Sequence, residues 1–210
     1  MIKPIHYNEH KLNVYVKDST ETVQKSWSWG NFYDLEQLKF AEITCKHGSA
    51  VDIGAGIGNH TLFFSKVMDR RTFSFEPDNS KYEALRKNII LNNPRTMIYN
   101  YALADYAGHA RKEKNEGIIY FRNTKEVFNV KVNILSNFIW EFIGLIRINI
   151  PEENVISVLS GGKRVIKENK PHLFIKTEKP DEVEGYLNTM LKVKYQFKKD
   201  FGKAKYFKPI

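Results

Sequence analysis

The chain has 210 residues, 42% of them hydrophobic, and a formal net charge of +9. This size suits one compact domain, 1–210, and no run of about 20 apolar residues is present to span a bilayer. The N-terminus lacks the apolar core of a signal peptide, and Cys45 is the only cysteine, which excludes an intramolecular disulfide. We therefore predict a cytoplasmic, single-domain protein without a membrane span, and we predict no metal site.

Residues 1–47 precede the first core strand and form a predicted N-terminal extension, in which a helix is expected over 34–44. After it, short apolar runs alternate with helical patterns. The predicted strands lie at 49–53, 72–76, 97–101, 145–150 and 172–177, and the predicted helices between them lie at 59–68, from a cap within 78–80 to about 92, and at 154–168.

The C-terminal part breaks this rhythm. A predicted helix over 181–190 is followed by two strand-like runs, 194–197 and 205–207, around Gly202, which indicates an antiparallel hairpin. The pattern is weaker between 110 and 142, where two runs look extended and a third favours a helical turn. These runs are 118–121, 130–132 and 137–142. The fold class is therefore α/β, a doubly wound and mostly parallel sheet of about seven strands that forms a core over 48–210.

Gly54, Gly56 and Gly58 stand between the first core strand and its helix. In an open parallel sheet, ligands bind beyond the carboxyl ends of the strands, and the amides that open the next helix attract an anionic group. Asn59 stands where a dinucleotide fingerprint requires its third glycine, which disfavours a nicotinamide oxidoreductase. A glycine turn with a purely structural role stays open as the alternative.

Glu76 ends the second strand, beside the glycine-rich turn, and is a predicted acceptor for two vicinal ribose hydroxyls. The alternative is a surface acid before Pro77. Asp105 follows the third strand and either accepts from an adenine amino group or caps its own loop. His60 opens the first core helix, where it either lines the site or packs.

These segments together resemble the FkbM-type methyltransferases of the class I S-adenosylmethionine (SAM)-dependent fold, over roughly residues 30–178. The similar segments are 51–61, 75–92, 100–108, 145–150 and 159–175. The resemblance implies SAM as the methyl donor and, in most members, O-methyl transfer to sugars or other glycosidic natural products. The cofactor contacts expected from it and from the glycine and acid spacing are Asp52, Gly54, Ala55, Gly56, Gly58, Asn59, Glu76, Leu103 and Asp105.

The chain departs from the family pattern at Asn149, where the family has aspartate, and at 151–153, where it has Glu-Gly. Methyl transfer to a hydroxyl requires alignment and a base, and asparagine cannot accept the proton. Asn149 is therefore expected to orient the acceptor or the cofactor. Glu152 and Glu178 are the predicted proton acceptors, with a solvated surface role as the alternative for each. If neither is the base, His60 and Asp34 are the next candidates.

Four aromatic residues of the extension either form a lid over the cofactor and a sugar ring or pack the extension onto the sheet. They are Trp27, Trp29, Phe32 and Tyr33. Residues 192–208 carry seven lysines against Asp200, a net charge of +6, which indicates either an anion-binding patch or protection of an edge strand.

We predict a SAM-dependent O-methyltransferase that acts on a sugar hydroxyl of a glycan, glycolipid or glycosidic natural product. An RNA methyltransferase is the alternative that the basic segment suggests, but no Asn-Pro-Pro-Tyr or Asp-Pro-Pro-Tyr motif and no separate RNA-binding module is present. Nucleic acid is therefore a disfavoured partner. A catalytically silent SAM-binding domain is a second alternative, because of Asn149.

Overall fold

The computed structural model describes residues 1–112, 119–120, 130–139 and 141–210. The N-terminal extension contains β1 (Ile2–Tyr7), β2 (His10–Tyr15), α1 (Thr22–Ser28) and α2 (Leu35–Thr44). Of these elements, only α2 was predicted from the sequence.

β1 and β2 form an antiparallel hairpin whose turn places Asn8 in the left-handed region, at φ 50°. Leu12 and Val14 alternate with exposed residues along β2 and are buried together with Ile5. This period of two and the turn-forming asparagine are the signals in the sequence that favour a hairpin here.

The elements after the extension are β3 (Ser49–Ile53), α3 (Asn59–Leu62), β4 (Thr72–Phe75), α4 (Asn79–Asn92), β5 (Thr96–Tyr99), β6 (Ala102–Leu103), β7 (Gly108–Lys112), β8 (Ile119–Tyr120), β9 (Val130–Asn133), β10 (Ile143–Ile148), α5 (Val155–Gly161), α6 (Lys163–Asn169), β11 (His172–Lys176), α7 (Pro180–Gly185), β12 (Tyr195–Asp200) and β13 (Ala204–Pro209). α3 and α7 each continue into a π-helical turn, and single 3-10 turns precede β10 and α5. These four turns are Phe63–Val67, Tyr186–Met190, Leu135–Asn137 and Glu152–Asn154.

Seven strands form the main sheet in the order β12-β13-β11-β10-β3-β4-β5. The pairs among β11, β10, β3, β4 and β5 are parallel, whereas β13 is antiparallel to both of its neighbours. The predicted doubly wound sheet with a C-terminal hairpin is therefore confirmed. The chain leaves β3 toward β4 on one side and returns to β10 on the other, so the strand order reverses at β3, which is where such sheets bind ligands.

Apolar side chains of β3 alternate between the two faces of the sheet. Val51 and Ile53 join the core that α5, α6 and α7 cover, while Ala50 joins the core that α2, α3 and the N-terminal hairpin cover. The N-terminal extension is therefore one layer of the fold, because Trp27 and Leu38 are fully buried in this second core.

Between β5 and β10 lies a small sheet in the order β6-β9-β7-β8, which the sequence did not reveal. The run predicted as extended at 130–132 forms the first three residues of β9, while the run at 118–121 lies partly outside the described residues. The helical turn expected at 137–142 is displaced toward the N-terminus, because the 3-10 turn lies at Leu135–Asn137; residue 140 of the expected turn lies outside the described residues. The helix expected over 154–168 is divided at Gly162 into α5 and α6.

Candidate functional site

A cavity of about 260 Å³ opens at the carboxyl ends of β3, β4 and β10, where the strand order reverses. We call it the first cavity. Its wall comes from the glycine-rich turn after β3, the end of β4, the segment after β5, the end of β10 and the N-terminal extension. Its lining residues include Glu21, Tyr33, Gly54, Ala55, Gly56, Asn59, His60, Glu76, Pro77, Tyr101, Ala102, Leu103, Arg147 and Asn149.

Gly54 brings the turn after β3 against the backbone that follows β10. Its φ is +74°, and a Cβ atom at this position would lie 2.2 Å from the carbonyl oxygen of Asn149. The amide of Asn149 in turn donates to the carbonyl of Ile53 at 2.9 Å. Gly54 is therefore required both for its left-handed backbone and for the absence of a side chain.

The other two glycines of the turn have different surroundings. Gly56 has a φ of +59°, and a Cβ there would meet no atom of the described chain within 4 Å, so its backbone faces open space. Gly58, at φ +103°, would place a Cβ 2.8 Å from Leu85 of α4. Gly58 thus permits packing of α3 on α4 and does not line the first cavity, which gives no support to its predicted cofactor contact.

Glu76 follows β4 and is only 5% exposed, with its carboxylate on the wall of the first cavity. Its Oε2 accepts from the amide of Gly56 at 2.8 Å, and its Oε1 accepts from the amide of Asp78 at 2.8 Å. Burial raises the pKa of Glu76, and the two amide hydrogen bonds oppose that rise. Glu76, the acid predicted at this strand end, is therefore hydrogen-bonded to the glycine-rich turn that it faces.

Asp52 lies beneath the first cavity and not on its wall. It is completely buried, its Oδ1 accepts from Nη1 of Arg147 at 2.8 Å, and its Oδ2 accepts from the Thr61 hydroxyl at 2.7 Å. The geometry therefore does not support the predicted cofactor contact of Asp52. Arg147, which lines the cavity, was not predicted as a site residue, although a single cation inside the apolar run 145–150 was the available signal.

Asn59 connects the first core helix to the N-terminal extension. Its Oδ1 accepts from Nε1 of Trp27 and from the amide of Tyr33, both at 3.0 Å, and its Nδ2 donates to the carbonyl of Tyr33 at 2.9 Å. Asn59 lines the first cavity, but these hydrogen bonds engage both ends of its amide.

The four aromatic residues of the extension divide between the two interpretations offered for them. Trp27 and Phe32 are buried in the core, as expected if they pack the extension onto the sheet. Tyr33 lines the first cavity, whereas Trp29 is 70% exposed. Only Tyr33 is therefore placed as a residue of a lid would be.

The segment after β5 contributes Tyr101, Ala102 and Leu103 to the wall of the first cavity. Asp105, two residues later, is exposed and lies off the wall. Its Oδ1 accepts from the Ser157 hydroxyl at 2.7 Å. The backbone amide of Asp105 donates to the hydroxyl oxygen of Ser157 at 3.2 Å. The position of Leu103 agrees with a cofactor contact, while the contacts of Asp105 are those of a loop cap.

A second cavity, also of about 260 Å³, adjoins the first between the N-terminal extension and the ends of β10, β11 and β13. The two cavities share the residues Glu21, Val23, Tyr33, Arg147 and Asn149. The second cavity is further lined by Thr22, Asp34, Gln37, Ile148, Phe174, Lys176, Lys203 and Ala204. The two cavities therefore meet along a shared wall.

Of the predicted catalytic residues, only Asn149 lies on a cavity wall, and it lines both. Glu152 accepts from the Thr177 hydroxyl at 2.5 Å and from the amide of Glu178 at 2.9 Å, so it ties the segment after β10 to the end of β11. The Glu178 side chain is exposed. Neither carboxylate lines either cavity as the described residues define them, and the geometry does not support their role as proton acceptor.

His60 is 2% exposed and lines the first cavity. Its Nδ1 lies 3.4 Å from Nδ2 of Asn59, while its Nε2 has no hydrogen-bond partner among the described residues. Burial, assisted by the charge of Arg147, holds the pKa of His60 well below its ordinary value. The imidazole is therefore neutral, with one polar atom still to be satisfied.

The basic C-terminal segment is partly neutralised by ion pairs. Lys199 lies 3.1 Å from Glu36 and over the rings of Phe40 and Phe201. Lys205 is buried and lies 2.8 Å from Asp200. At least these two of the seven lysines therefore serve contacts within the protein.

Within the described ranges, none of the helices combines the length and the apolar character that crossing a bilayer requires. The same residues contain no group of three or more His, Cys, Asp or Glu side chains that could hold a metal ion.

No family model matches the sequence, and neither does any curated protein. Solved structures do match. The chain is similar to the methyltransferase FkbM from Methylobacillus flagellatus, with 18% identity and a TM-score of 0.54 over 77% of this chain and 43% of that one. It is also similar to an rRNA methylase from Streptococcus thermophilus, with 11% identity and a TM-score of 0.51 over 83% of this chain and 95% of that one.

A third similar structure is the tRNA (uracil-54, C5)-methyltransferase of Pyrococcus abyssi in complex with S-adenosyl-L-homocysteine, with 10% identity and a TM-score of 0.50 over 98% of this chain. The chain spans 43% of the length of this enzyme and of the FkbM methyltransferase. The chain thus has the class I methyltransferase fold, and the predicted resemblance to FkbM-type methyltransferases is confirmed at the level of the fold.

Proposed function

We propose that the protein is a SAM-dependent O-methyltransferase that acts on a sugar hydroxyl of a glycan, glycolipid or glycosidic natural product. The observation that carries this proposal is Glu76, a buried carboxylate at the end of β4 that faces the first cavity. A carboxylate offers about four lone-pair sites for hydrogen bonds. The amides of Gly56 and Asp78 take two contacts, so acceptor capacity remains for two vicinal ribose hydroxyls.

The remaining wall of the first cavity fits the other parts of SAM. The open space beside Gly56, where a Cβ would meet no described atom within 4 Å, leaves room for the methionine end, while the Gly56 amide itself donates to Glu76. Pro77, Tyr101 and Leu103 supply apolar surface for the adenine ring. When bound, SAM supplies an electrophilic methyl group on a sulfonium. The residues of the chain have to align the acceptor with that carbon and take up the hydroxyl proton.

The second cavity supports an acceptor of limited size. It adjoins the first through Tyr33, Arg147 and Asn149, and it presents both an aromatic ring, Phe174, and several hydrogen-bonding side chains. Aromatic faces and polar groups together suit a sugar ring, which has apolar and hydroxylated surfaces. The single cysteine of the sequence supports a reducing, cytoplasmic setting.

RNA methylation is the second candidate, favoured by the fold similarity to tRNA and rRNA methyltransferases and by the basic segment 192–208. The ion pairs of Lys199 and Lys205 weigh against it. If RNA is the acceptor, the logarithm of its affinity falls with the logarithm of salt concentration by about 0.7 per phosphate contact. Charge reversal of Lys198 and Lys199 then abolishes tight binding, whereas with a glycan acceptor RNA binding is already weak in the wild type.

Glu76→Ala tests the proposed cofactor site. We expect SAM affinity, measured by calorimetry, to weaken by about 1–3 kcal/mol, the loss typical of hydrogen bonds to a charged group. Glu83→Ala is the matched control, because Glu83 lies on the adjacent helix α4 and pairs with Arg86 on the surface. Unchanged SAM affinity in a folded Glu76→Ala protein contradicts the site, and SAM binding without turnover on any glycan or RNA indicates a catalytically silent domain.

A further inference from the structure

Among the described residues, two acidic side chains line the second cavity. Glu21 caps α1 by accepting from the Gln24 amide at 3.2 Å, and the other acid is Asp34. It lines the second cavity at the start of α2, on the side of the N-terminal extension. This carboxylate lines only the second cavity and is not part of the glycine-rich turn or the end of β4, which line the first. Its surroundings bear on the identity of the proton acceptor, and a role for it in proton transfer rests on the proposed methyltransferase function.

The backbone of Asp34 holds its side chain in an unusual position. Asp34 is the N-cap residue of α2 with φ 55° and ψ 40°, in the left-handed region, and its side chain makes no capping hydrogen bond. Aspartate at a helix N-cap ordinarily adopts an extended backbone and accepts from an amide of the first turn. The local structure therefore directs this carboxylate away from the helix that it would otherwise stabilise.

His60 presents its unsatisfied nitrogen to the same carboxylate. The Nε2 atom lies 3.9 Å from Oδ2 of Asp34. A donor at Nδ2 of Asn59, 3.4 Å from Nδ1, favours the neutral tautomer that carries its proton on Nε2. The distance to Asp34 is too long for a direct hydrogen bond, but it is short enough for the N–H dipole to stabilise the carboxylate charge.

Charged groups face Asp34 from several elements. Arg147 comes from β10, Lys176 from the end of β11, Lys203 from the turn between β12 and β13, and Glu21 from the segment before α1. Burial raises the pKa of Asp34, while Arg147, a hydrogen bond from Tyr33 and the charge of Lys203 lower it in part. A carboxylate with a raised pKa is a stronger base toward a hydroxyl than an exposed aspartate is.

We propose that the second cavity is the acceptor site and that Asp34 takes the proton of the acceptor hydroxyl, with His60 as a positioning residue. The hydroxyl oxygen forms the new C–O bond to the methyl carbon as the C–S bond breaks. The electron pair of that bond stays on sulfur, and the hydroxyl proton passes to the Asp34 carboxylate. The Nε2–H group of His60 faces the carboxylate from 3.9 Å and orients it through its dipole.

Asp34→Asn is the first test, because asparagine tolerates the left-handed backbone and keeps the side-chain size. We expect turnover to fall by about 10²–10⁴-fold, as for loss of a general base, with SAM affinity by calorimetry unchanged. Asp69→Asn is the matched control, since Asp69 is exposed, lies outside both cavities and has a φ of 49°. Turnover of Asp34→Asn equal to that of the control overturns the proposal.

His60 is tested by the pH dependence of turnover. The acidic limb of the pH–rate profile should report Asp34, which is inactive once protonated. His60→Leu removes an N–H group that stabilises the carboxylate, so this limb should move to higher pH, whereas His60→Gln, which keeps a donor, should move it less. Identical limbs in the wild type and both variants overturn the positioning role.

A binding measurement covers the case in which no probe is methylated. The protein loaded with S-adenosylhomocysteine is titrated with methyl α-glucopyranoside and with the corresponding methyl glucosiduronate, and backbone amide signals are followed by NMR. We expect shifts at Tyr33, Asn149 and Lys203 and an altered response at Asp34→Asn. Shifts confined to other regions, or none with either probe, overturn the assignment of the second cavity. Failure of the wild type to bind SAM contradicts the proposed function itself.

Discussion

The two cavities share a wall, but one is formed by neighbouring segments of the chain and the other by segments far apart in sequence. The first draws its defining groups from the turn after β3 and from the end of the next strand, β4, so Gly54 and Glu76 are neighbours in topology as well as in space. The second is formed by segments far apart in sequence, where Asp34, Asn149 and Lys203 meet at the edge of the sheet. One site results from a local supersecondary pattern, and the other depends on how the N-terminal layer packs.

Each cavity is therefore sensitive to a different kind of substitution. The first cavity depends on backbone geometry in a single turn, so changes in that turn should disturb it most. The second depends on a contact between layers, in which Arg147 stands at the shared wall with its guanidinium paired beneath the turn. Substitutions in the turn and at the buried ion pair can therefore test the two cavities separately.

Arg147→Met should have the largest effect on stability. The Asp52–Arg147 pair is buried, with side-chain exposures of 0% and 8%, and removal of one partner leaves an uncompensated buried charge. We expect the free energy of unfolding to fall by about 3–5 kcal/mol in urea denaturation. Arg71→Met is the control, because its pair with Glu141 at 2.6 Å is far more exposed and should contribute only about 0–1 kcal/mol.

The double variant Asp52→Asn/Arg147→Met sharpens this result. It removes both charges, so it should be more stable than Arg147→Met alone, because no buried charge remains without a partner. Equal destabilisation by Arg147→Met and Arg71→Met would show that the shared wall does not depend on the buried pair.

Gly54→Ala should have the next largest effect. The added Cβ meets the Asn149 carbonyl oxygen at 2.2 Å and also requires a left-handed backbone at φ +74°. We expect a loss of about 2–4 kcal/mol in unfolding free energy. Gly202→Ala is a close match in backbone, with φ +78° and no described atom within 4 Å of the added Cβ, and should cost about 1–2 kcal/mol. Equal costs would mean that strain, and not the close approach of two backbones, governs the turn.

Glu152→Gln should have the smallest effect of the three. One of the two hydrogen bonds that Glu152 accepts from Thr177 and the amide of Glu178 is weakened, which should cost about 0.5–1.5 kcal/mol in unfolding free energy. Glu178→Gln, at an exposed side chain, should change it by less than about 0.5 kcal/mol. Turnover should stay within about tenfold of the wild type in both, and a loss of about 100-fold in either would restore that residue as the proton acceptor.

The main sheet and the location of the first cavity could be predicted from the amino-acid sequence. A short apolar strand, three glycines and a following helix specify a turn at the carboxyl end of the sheet, and an acid that ends the next parallel strand must arrive beside it. Gly54 and Glu76 were predictable because their positions depend on strand period and on neighbouring connections, which are local properties of the chain.

Which acids face the ligand cavities depends instead on tertiary packing. Glu152 and Glu178 both follow strands that end at the correct edge, yet Glu152 is oriented by hydrogen bonds to Thr177 and the Glu178 amide, and neither side chain lines a cavity. Asp34 enters the second cavity because a hairpin, Trp27 and α2 pack on the sheet through contacts distant in sequence. The direction of a side chain at a loop depends on the neighbours that the fold supplies, and these neighbours are not encoded in the local pattern.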